Sequence, residues 1–416
     1  MEDGIRVGII GAGAAGLFAA SQFKRLSGGR NVQVTLIEKN HIPGRKLILT
    51  GHGRCNITNR KEASELKKGF HEASNFIYPA LREFGPEDTI RFVEDCLELK
   101  TKEEENNRIF PVCDDASKVR ALLMSYISDA AELVLNEKVT KISKADCFEV
   151  VTEKNTYSFD YVVLCCGGSS FSKTGSTGDS YKLAASLGHH IEPVRGALVP
   201  IDADPSSAGL CKSLSGVSLS AAVSLFCDDK KTAMVTGELL FADFGLTGPA
   251  VMEIAREIPA DLTGRRAWLE LDLVHSMNDE EFDRQLQKLI GEHSDTKITT
   301  LLSRYIPASV ASEAASRAGA ADLYAQGFTK ENRKKILRET KHLKIGIANP
   351  PELEKAYVTR GGVSLNEISR KTMESKIVPG LYVIGEALDV DGISGGYNLQ
   401  ACMSEAYLAA KNILFP

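Results

Sequence analysis

The chain has 416 residues, of which 43% are hydrophobic and 25% charged, with a formal net charge of −5 at pH 7. This length predicts two domains, and the composition is that of a soluble globular protein without global attraction to nucleic acid. No apolar run approaches the ~20 residues of a membrane helix, and the first predicted strand begins too early to leave room for a signal peptide.

The first predicted strand runs directly into a glycine-rich turn. Ile5–Ile10 is typical of a buried parallel strand, and it precedes the turn GAGAAG at 11–16 and a run of good helix formers. Gly11 permits a tight turn, Gly13 lets the backbone approach a pyrophosphate, and Gly16 lets the helix pack close to the strand. The pyrophosphate would lie at the helix N-terminus, where free N–H groups and the dipole favour an anion.

A second apolar strand, Val32–Ile37, ends at Glu38, 22 residues after Gly16. This is close to the ~20-residue spacing of an acid that accepts hydrogen bonds from a ribose. Because a carboxylate would repel a 2′-phosphate, the expected nucleotide is FAD or NAD and not NADP. The alternative, an ordinary βαβ unit with a surface glutamate, explains the combined pattern less well.

Residues 44–59 form a glycine-rich basic stretch that contains Arg45, Lys46 and Arg54. Such a loop suits an anionic or polar ligand better than it suits an ordinary exposed surface, because its donors follow directly on a nucleotide-binding unit. Beyond it, 74–100 and 116–131 are predicted mainly as helices and 103–105 as a solvated loop. Strands are expected at 133–139, 147–152, 156–159 and 161–166.

The character of the chain changes near residue 191. Alternating apolar runs up to 273 predict an inserted β domain, and 278–319 is predicted to be helical. A further helix at 329–337 carries Lys330, Arg333, Lys334 and Lys335, with Arg338 next to it. This basic helix is the best candidate for a nucleic-acid surface, although a solvated helix face is the favoured interpretation.

The C-terminal segment repeats the strand–glycine–helix pattern. A short strand at 380–386 ends in Gly385-Glu386, and Gly395-Gly396 precede a helix predicted at 399–413. This places a second helix N-terminus against a ligand. A flavin fits there, because its N1–C2=O edge becomes negative on reduction.

The nine cysteines form no CxxC pair and no Cys/His spacing of a zinc site. They predict reduced thiols, a cytoplasmic location and no bound metal. Cys165 and Cys166 follow the apolar run Tyr161–Leu164, so we expect them to finish a buried strand as small apolar residues.

Taken together, these motifs resemble the HI0933-like (BaiN/RdsA-type) flavoproteins over essentially the whole chain. The likeness is carried by GAGAAG at 11–16, GRKLILTGHGRCNITN at 44–59, NRIFPVCDDAS at 107–117, TGSTGD at 174–179, FGLTGPA at 244–250, VTRGGVSLNEI at 358–368, TMESK at 372–376 and GLYVIGEALDVDGISGGYNLQ at 380–400. The chain departs from the family pattern at His52, Asn107, Ser180 and Ala242-Asp243.

The resemblance implies an α/β fold with non-covalently bound FAD. A Rossmann-like FAD-binding domain with a parallel sheet, similar to the nucleotide fold of glutathione reductase, would comprise 1–190 and 345–416. An inserted β-barrel-like domain would cover 191–275, optionally with strands from 320–360, and a helical subdomain would cover 276–344.

The resemblance also implies a set of FAD-binding residues, carried over by motif. They are Gly11, Gly13, Ala15 and Gly16 at the pyrophosphate; Glu38 at the adenosine ribose; Arg45 and Lys46 along the nucleotide; Val139 at the adenine; Gly51, Gly53, Arg54, Cys55 and Asn56 near the isoalloxazine; Gly385 and Glu386 at the pyrophosphate or ribityl chain; and Gly396, Tyr397, Asn398 and Leu399 at the pyrimidine edge. Ala14, Lys39, Cys166, Gly167, Asp391 and Gly395 complete the set.

No second GxGxxG follows a strand, so a pyridine nucleotide would visit the flavin transiently. The leading hypothesis is an FAD-dependent oxidoreductase that passes hydride from NAD(P)H to a polarised C=C. Cys55, Arg54 and His52 are the catalytic candidates: Cys55 would donate a proton, and Arg54 would lower its pKa. Alternatively, Cys55 only packs and Arg54 binds a phosphate or flavin oxygen.

The family resemblance leaves the substrate open. It suggests uridine in large-subunit ribosomal RNA, which would be reduced to dihydrouridine, or a small enone such as a bile-acid intermediate. An RNA substrate predicts that the basic helix and Arg360 share a positive surface, whereas a steroid predicts a closed apolar pocket. A flavin-bearing binding protein without turnover is the third alternative, and no membrane partner is expected.

Overall fold

The structure is a computed structural model that describes residues 4–416. Its strands β1–β19 are Ile5–Ile10, Val32–Ile37, Thr58–Asn59, Thr101–Glu104, Arg108–Pro111, Ala131–Val134, Val139–Lys144, Phe148–Thr152, Thr156–Phe159, Tyr161–Leu164, Ile191–Ala197, Ile201–Asp202, Ser218–Cys227, Lys230–Ala242, Gly245–Thr247, Ala267–Asp272, Leu343–Gly346, Val358–Val363 and Leu381–Val383. Its α-helices α1–α13 are Ala14–Leu26, Ala63–Leu66, Ser74–Glu83, Pro86–Arg91, Ala116–Ile127, Asp179–Ser186, Pro205–Ser213, Pro249–Ile254, Asp279–Glu292, Ile298–Leu302, Ala308–Arg317, Lys330–Lys341 and Tyr397–Leu414.

The chain divides into two compact units. The first runs to Gly196 and resumes over Tyr357–Pro416, and the second is Ala197–Ala356. Each unit has its own buried apolar core. The unit boundaries therefore lie at 196 and 357, where 190 and 345 are expected from the sequence, and the helices at 276–344 lie in the same unit as the β-rich segment.

The first unit is built on a five-stranded parallel sheet of order β19-β10-β1-β2-β6. Central strand β1 is almost fully buried from Val7 to Ile10, which explains its continuous apolar sequence. The chain leaves β1 for β2 on one side and returns to β10 on the other. Ligands of open α/β sheets bind at such a change of direction, outside the carboxyl ends of the strands.

Two sequence expectations in this unit are wrong. Of residues 103–105, expected as a solvated loop, Glu103 and Glu104 form the end of β4, which pairs with β5 in a small antiparallel sheet, and Glu105 begins a short 3-10 turn. Residues 133–139, expected as one strand, are split between β6 and β7 because Asn136 turns the backbone into the left-handed region with φ 56°.

The second unit contains a six-stranded antiparallel sheet of order β12-β15-β14-β13-β16-β17. Its two edges are joined, since the Asp204 N–H donates to the Gly346 carbonyl (2.8 Å) and the Ala348 N–H to the Asp202 carbonyl (3.0 Å). The sheet thus closes on itself, and its last strand comes from 343–346, within the range expected to add strands. The predicted combination of a Rossmann-like domain with an inserted barrel-like sheet is confirmed.

Across residues 4–416, no helix combines the length and apolar character needed to cross a membrane. The same residues contain no group of three or more His, Cys, Asp or Glu side chains arranged to hold a metal ion.

Candidate functional site

A cavity opens in the first unit at the carboxyl ends of β1 and β10. Its free volume, with its open mouth included, is about 1320 Å³. Its lining extends from the glycine turn and Glu38 to Gly385 and the start of α13, the elements expected to hold a dinucleotide. The predicted FAD-binding residues that line it are Gly11, Gly13, Ala14, Ala15, Glu38, Lys39, Arg45, Lys46, Val139, Cys166, Gly167, Gly385, Glu386, Asn398 and Leu399.

The glycine turn between β1 and α1 forms one wall of the cavity. Gly11 has φ 106°, and a Cβ atom on Gly16 would lie 1.9 Å from the Gly11 carbonyl oxygen, so both positions need glycine for the turn itself. By contrast, a Cβ atom on Gly13 would meet no protein atom within 4 Å. Gly13 leaves open space in front of the N-terminus of α1, which fits a pyrophosphate.

Glu38 lies at the end of β2 and is 8% exposed. Its Oε2 accepts a hydrogen bond from the Ala12 N–H (2.8 Å), and its Oε1 accepts one from the Asn40 N–H (2.9 Å). The carboxylate therefore ties the end of β2 to the glycine turn. Oε1 also accepts from the Asn40 side-chain amide (2.6 Å), so Oε2, with one hydrogen bond, is the oxygen that can still accept from a ribose hydroxyl.

Two predicted FAD-binding residues from opposite ends of the chain form an ion pair. Lys46 Nζ lies 2.6 Å from Glu386 Oε2, and Glu386 Oε1 accepts from the Ser170 hydroxyl and the Thr359 N–H at 2.7 Å each. Burial opposes ionisation of Glu386, but Lys46 and these hydrogen bonds hold its pKa below the ordinary value. The positive charge of Lys46 is thus partly neutralised within the protein.

Five acidic or thiol side chains that line the cavity are not among the predicted site residues, namely Glu137, Cys165, Asp179, Cys402 and Glu405. Asp179, the first residue of α6, forms an ion pair with Lys39, one of the predicted FAD-binding residues. Asp179 lies in the TGSTGD block, so that block was a usable signal. Glu405 lies inside α13, where no local pattern distinguishes a cavity-lining acid from a surface one.

The other predicted FAD-binding residues are not among those that line the cavity. They are Gly16, Gly51, Gly53, Arg54, Cys55, Asn56, Asp391, Gly395, Gly396 and Tyr397, and the catalytic candidate His52 joins them with an exposed side chain. Asn56 and Gly396, two of these residues, are hydrogen-bonded to each other. When the Asn56 amide is oriented so that both its oxygen and its nitrogen have partners, Oδ1 accepts from the Gly396 N–H at 3.1 Å.

The catalytic roles expected of Arg54 and Cys55 do not match their surroundings. The Arg54 guanidinium pairs with Glu104 and with Asp114 (2.8 Å) and lies 4.2 Å from the centre of the Phe110 ring. The Cys55 side chain is 1% exposed, and burial raises the pKa of its thiol to about 12. The prediction that Arg54 lowers this pKa is wrong, because the guanidinium is held by carboxylates and desolvation dominates at the thiol.

Cys55→Ala is therefore expected to leave FAD content unchanged and kcat/KM within about twofold of wild type. A buried thiol that remains protonated is a poor acid, and its removal should cost only about 1 kcal/mol of stability. FAD absorbance per protein, steady-state kinetics and thermal unfolding check this. A tenfold loss of kcat with normal FAD content would instead restore Cys55 as proton donor.

The comparisons with known proteins agree with this geometry. The family model described as the HI0933-like protein Rossmann domain matches residues 5–412. The chain is 30% identical over 414 residues to the 3-dehydro-bile acid delta(4,6)-reductase of Clostridium scindens, covering 98% of each chain. It is also 30% identical over 414 residues to the ribosomal RNA dihydrouridine synthase of Haemophilus influenzae, covering 97% of each.

Among solved structures, the fold is similar to that of 3-ketosteroid delta1-dehydrogenase from Sterolibacterium denitrificans. The TM-score is 0.54 at 14% identity, covering 98% of this chain and 99% of that one. Three features of the cavity suit FAD. The glycine turn leaves open space at Gly13, Glu38 is fixed at the end of β2, and the N-terminus of α13 reaches the same cavity. The chain belongs to the HI0933-like family and is an FAD-dependent oxidoreductase.

Proposed function

We propose that the protein reduces a polarised carbon–carbon double bond with hydride taken from NAD(P)H. The main support for this proposal is the cavity lined by the glycine turn at 11–16, which is the single strand-linked GxGxxG motif in the sequence. With FAD in that cavity and no second strand-linked GxGxxG in the sequence, NAD(P)H would act as a transient reductant. Bound FAD supplies the hydride-transfer chemistry.

The residues of this chain bind and orient the cofactor in this proposal. Gly13 and the N-terminus of α1 would hold the pyrophosphate, and Glu38 would accept from the adenosine ribose. The start of α13, at Asn398 and Leu399, reaches the same cavity. Its helix dipole would favour the negative charge that reduction places on the pyrimidine edge.

Our first candidate substrate is uridine in large-subunit ribosomal RNA. The 5,6 double bond of uridine is conjugated to a carbonyl, so it is polarised for hydride addition. Support comes from the Haemophilus influenzae relative, whose similarity extends over nearly the whole length of both chains.

The second candidate is a small enone, and the pairing of charges on α12 favours it. Arg333 pairs with Asp283 (2.9 Å), and Lys341 is 2% exposed and bound to Asp272 (2.8 Å). Lys335 and Arg338 also pair with glutamates, at 3.4 and 3.2 Å. Such internal pairing leaves α12 a weaker phosphate-binding surface than its sequence suggests. The bile-acid reductase relative supports this alternative.

The test is anaerobic reduction of the purified yellow protein by NADH or NADPH, followed by addition of one oxidant. Ribosomal RNA lacking dihydrouridine is compared with a 3-keto-4-ene steroid, and the same RNA already modified serves as control. Return of flavin absorbance together with new dihydrouridine, detected by mass spectrometry, would support the RNA substrate. Return with the steroid alone would support the enone, and no return with either would favour a binding protein without turnover.

A further inference from the structure

The acid that sequence reasoning missed in α13 lies in an unusual environment. Glu405 is 0% exposed and lines the cavity assigned to FAD. Its Oε2 accepts a hydrogen bond from the Gly385 N–H (2.6 Å). Its Oε1 is buried and has no hydrogen-bond partner among the described residues. A buried polar atom without a partner is rare in proteins, so Oε1 calls for a partner that the protein itself does not supply.

Glu405 is placed close to the glycine turn. A Cβ atom on Gly385, whose N–H donates to Glu405, would lie 2.7 Å from the Ala15 Cβ atom and 3.6 Å from the Cys402 sulfur. Ala15 belongs to the turn whose open space fits a pyrophosphate. An ionised Glu405 would therefore add a negative charge beside the two negative charges of the ligand.

We propose that Glu405 is a cofactor-positioning residue: it is held as a neutral carboxylic acid, and the proton on Oε1 is donated to an oxygen of the bound dinucleotide. The phosphate and hydroxyl oxygens of FAD are suitable acceptors, and this bond satisfies the buried atom that the protein leaves without a partner. Without FAD, the protein already favours the neutral form. Burial raises the pKa of Glu405 to about 8, although the hydrogen bond from the Gly385 N–H acts to lower it.

Three other titratable groups that line the same cavity, Cys165, Cys402 and Glu386, do not change charge over the same range. Burial raises the pKa of the Cys165 and Cys402 thiols well above the ordinary value, so both stay neutral, and Glu386 stays ionised beside Lys46. Helices α1 and α3, which pack against α13, carry the charged groups Lys24, Arg25, Arg82 and Glu83 in their last turns.

The sign of the pH effect follows from linkage. The complex keeps the proton on Glu405, whereas the free protein loses it as pH rises through about 8. Above that pH, FAD binding must take up a proton. The Kd for FAD should therefore be constant below about pH 7.5 and rise roughly tenfold for each further pH unit above the transition.

The experiment is an FAD titration of the apoprotein, followed by flavin fluorescence between about pH 6.5 and about pH 9.5, with wild type, E405Q and E405L. Glutamine can accept from the Gly385 N–H and donate through Nε2, but it does not titrate. We expect E405Q to bind FAD as tightly as wild type at low pH and to lose the rise in Kd. E405L lacks the donor and should bind roughly tenfold more weakly at every pH.

Thermal unfolding of each apoprotein shows whether the variants fold, and E405Q keeps the test decisive if E405L does not. A wild-type Kd that stays flat, or an E405Q profile as steep as that of wild type, would overturn the proposal. The readout is cofactor affinity and involves no substrate, so this result is independent of whether RNA or an enone is reduced.

Discussion

Gly13→Val is expected to weaken FAD binding on the order of 100-fold, about 2.8 kcal/mol, while the apoprotein still folds. The backbone of Gly13 is extended, with φ −75° and ψ −167°, a conformation that valine adopts without strain. Its Cβ atom would meet no protein atom within 4 Å, so the new side chain would instead occupy the space in front of α1. FAD content after purification, a fluorescence titration and thermal unfolding of the apoprotein measure the two effects separately.

Gly16→Val is the matched control, because the same substitution three residues later should act on the fold. Its Cβ atom would lie 1.9 Å from the Gly11 carbonyl oxygen and 3.2 Å from the Cys165 sulfur, in a helix packed on the sheet. We expect this variant to be destabilised severely or to be insoluble. If Gly13→Val bound FAD normally, or if it unfolded as Gly16→Val does, Gly13 would not be the point of pyrophosphate approach.

Glu38→Arg is expected to abolish FAD retention and to lower the free energy of unfolding by about 2–5 kcal/mol. Two N–H groups, the buried one of Ala12 and the half-buried one of Asn40, lose their acceptor, at about 1–3 kcal/mol each. The acceptor proposed for the adenosine ribose is lost as well. Urea unfolding of the apoprotein measures the stability, and flavin absorbance measures retention.

Glu38→Gln separates the two contributions of this residue. The amide keeps one carbonyl oxygen, so one of the two N–H bonds can survive and the loss of stability should be about half as large. FAD should then be bound weakly and not lost. Unchanged FAD occupancy in Glu38→Arg would remove the ribose role and leave Glu38 as a purely structural acceptor.

The sequence predicts the nucleotide-binding unit well because its signals are local. The bounds of β1 and β2 match the predicted strands, and the glycine turn leads directly into α1 as expected. Backbone stereochemistry decides the turn at Gly11, and the apolar runs decide the buried strands. The structure departs from expectation at the edge strand β4, where pairing with β5 makes a strand of residues expected in a loop. It also departs at Asn136, where one residue in the left-handed region ends β6 before β7 begins.

By itself, the sequence determined the glycine cradle, the acid after β2 and the family, because each is encoded in residues a short distance apart. The tertiary structure decided which charges remain available. Lys46 and Glu386 are 340 residues apart in the chain and neutralise each other, Cys55 is buried against its expected reactivity, and Glu405 is brought beside the glycine turn. The physical reason is that desolvation and ion pairing depend on neighbours in space, which no local pattern contains.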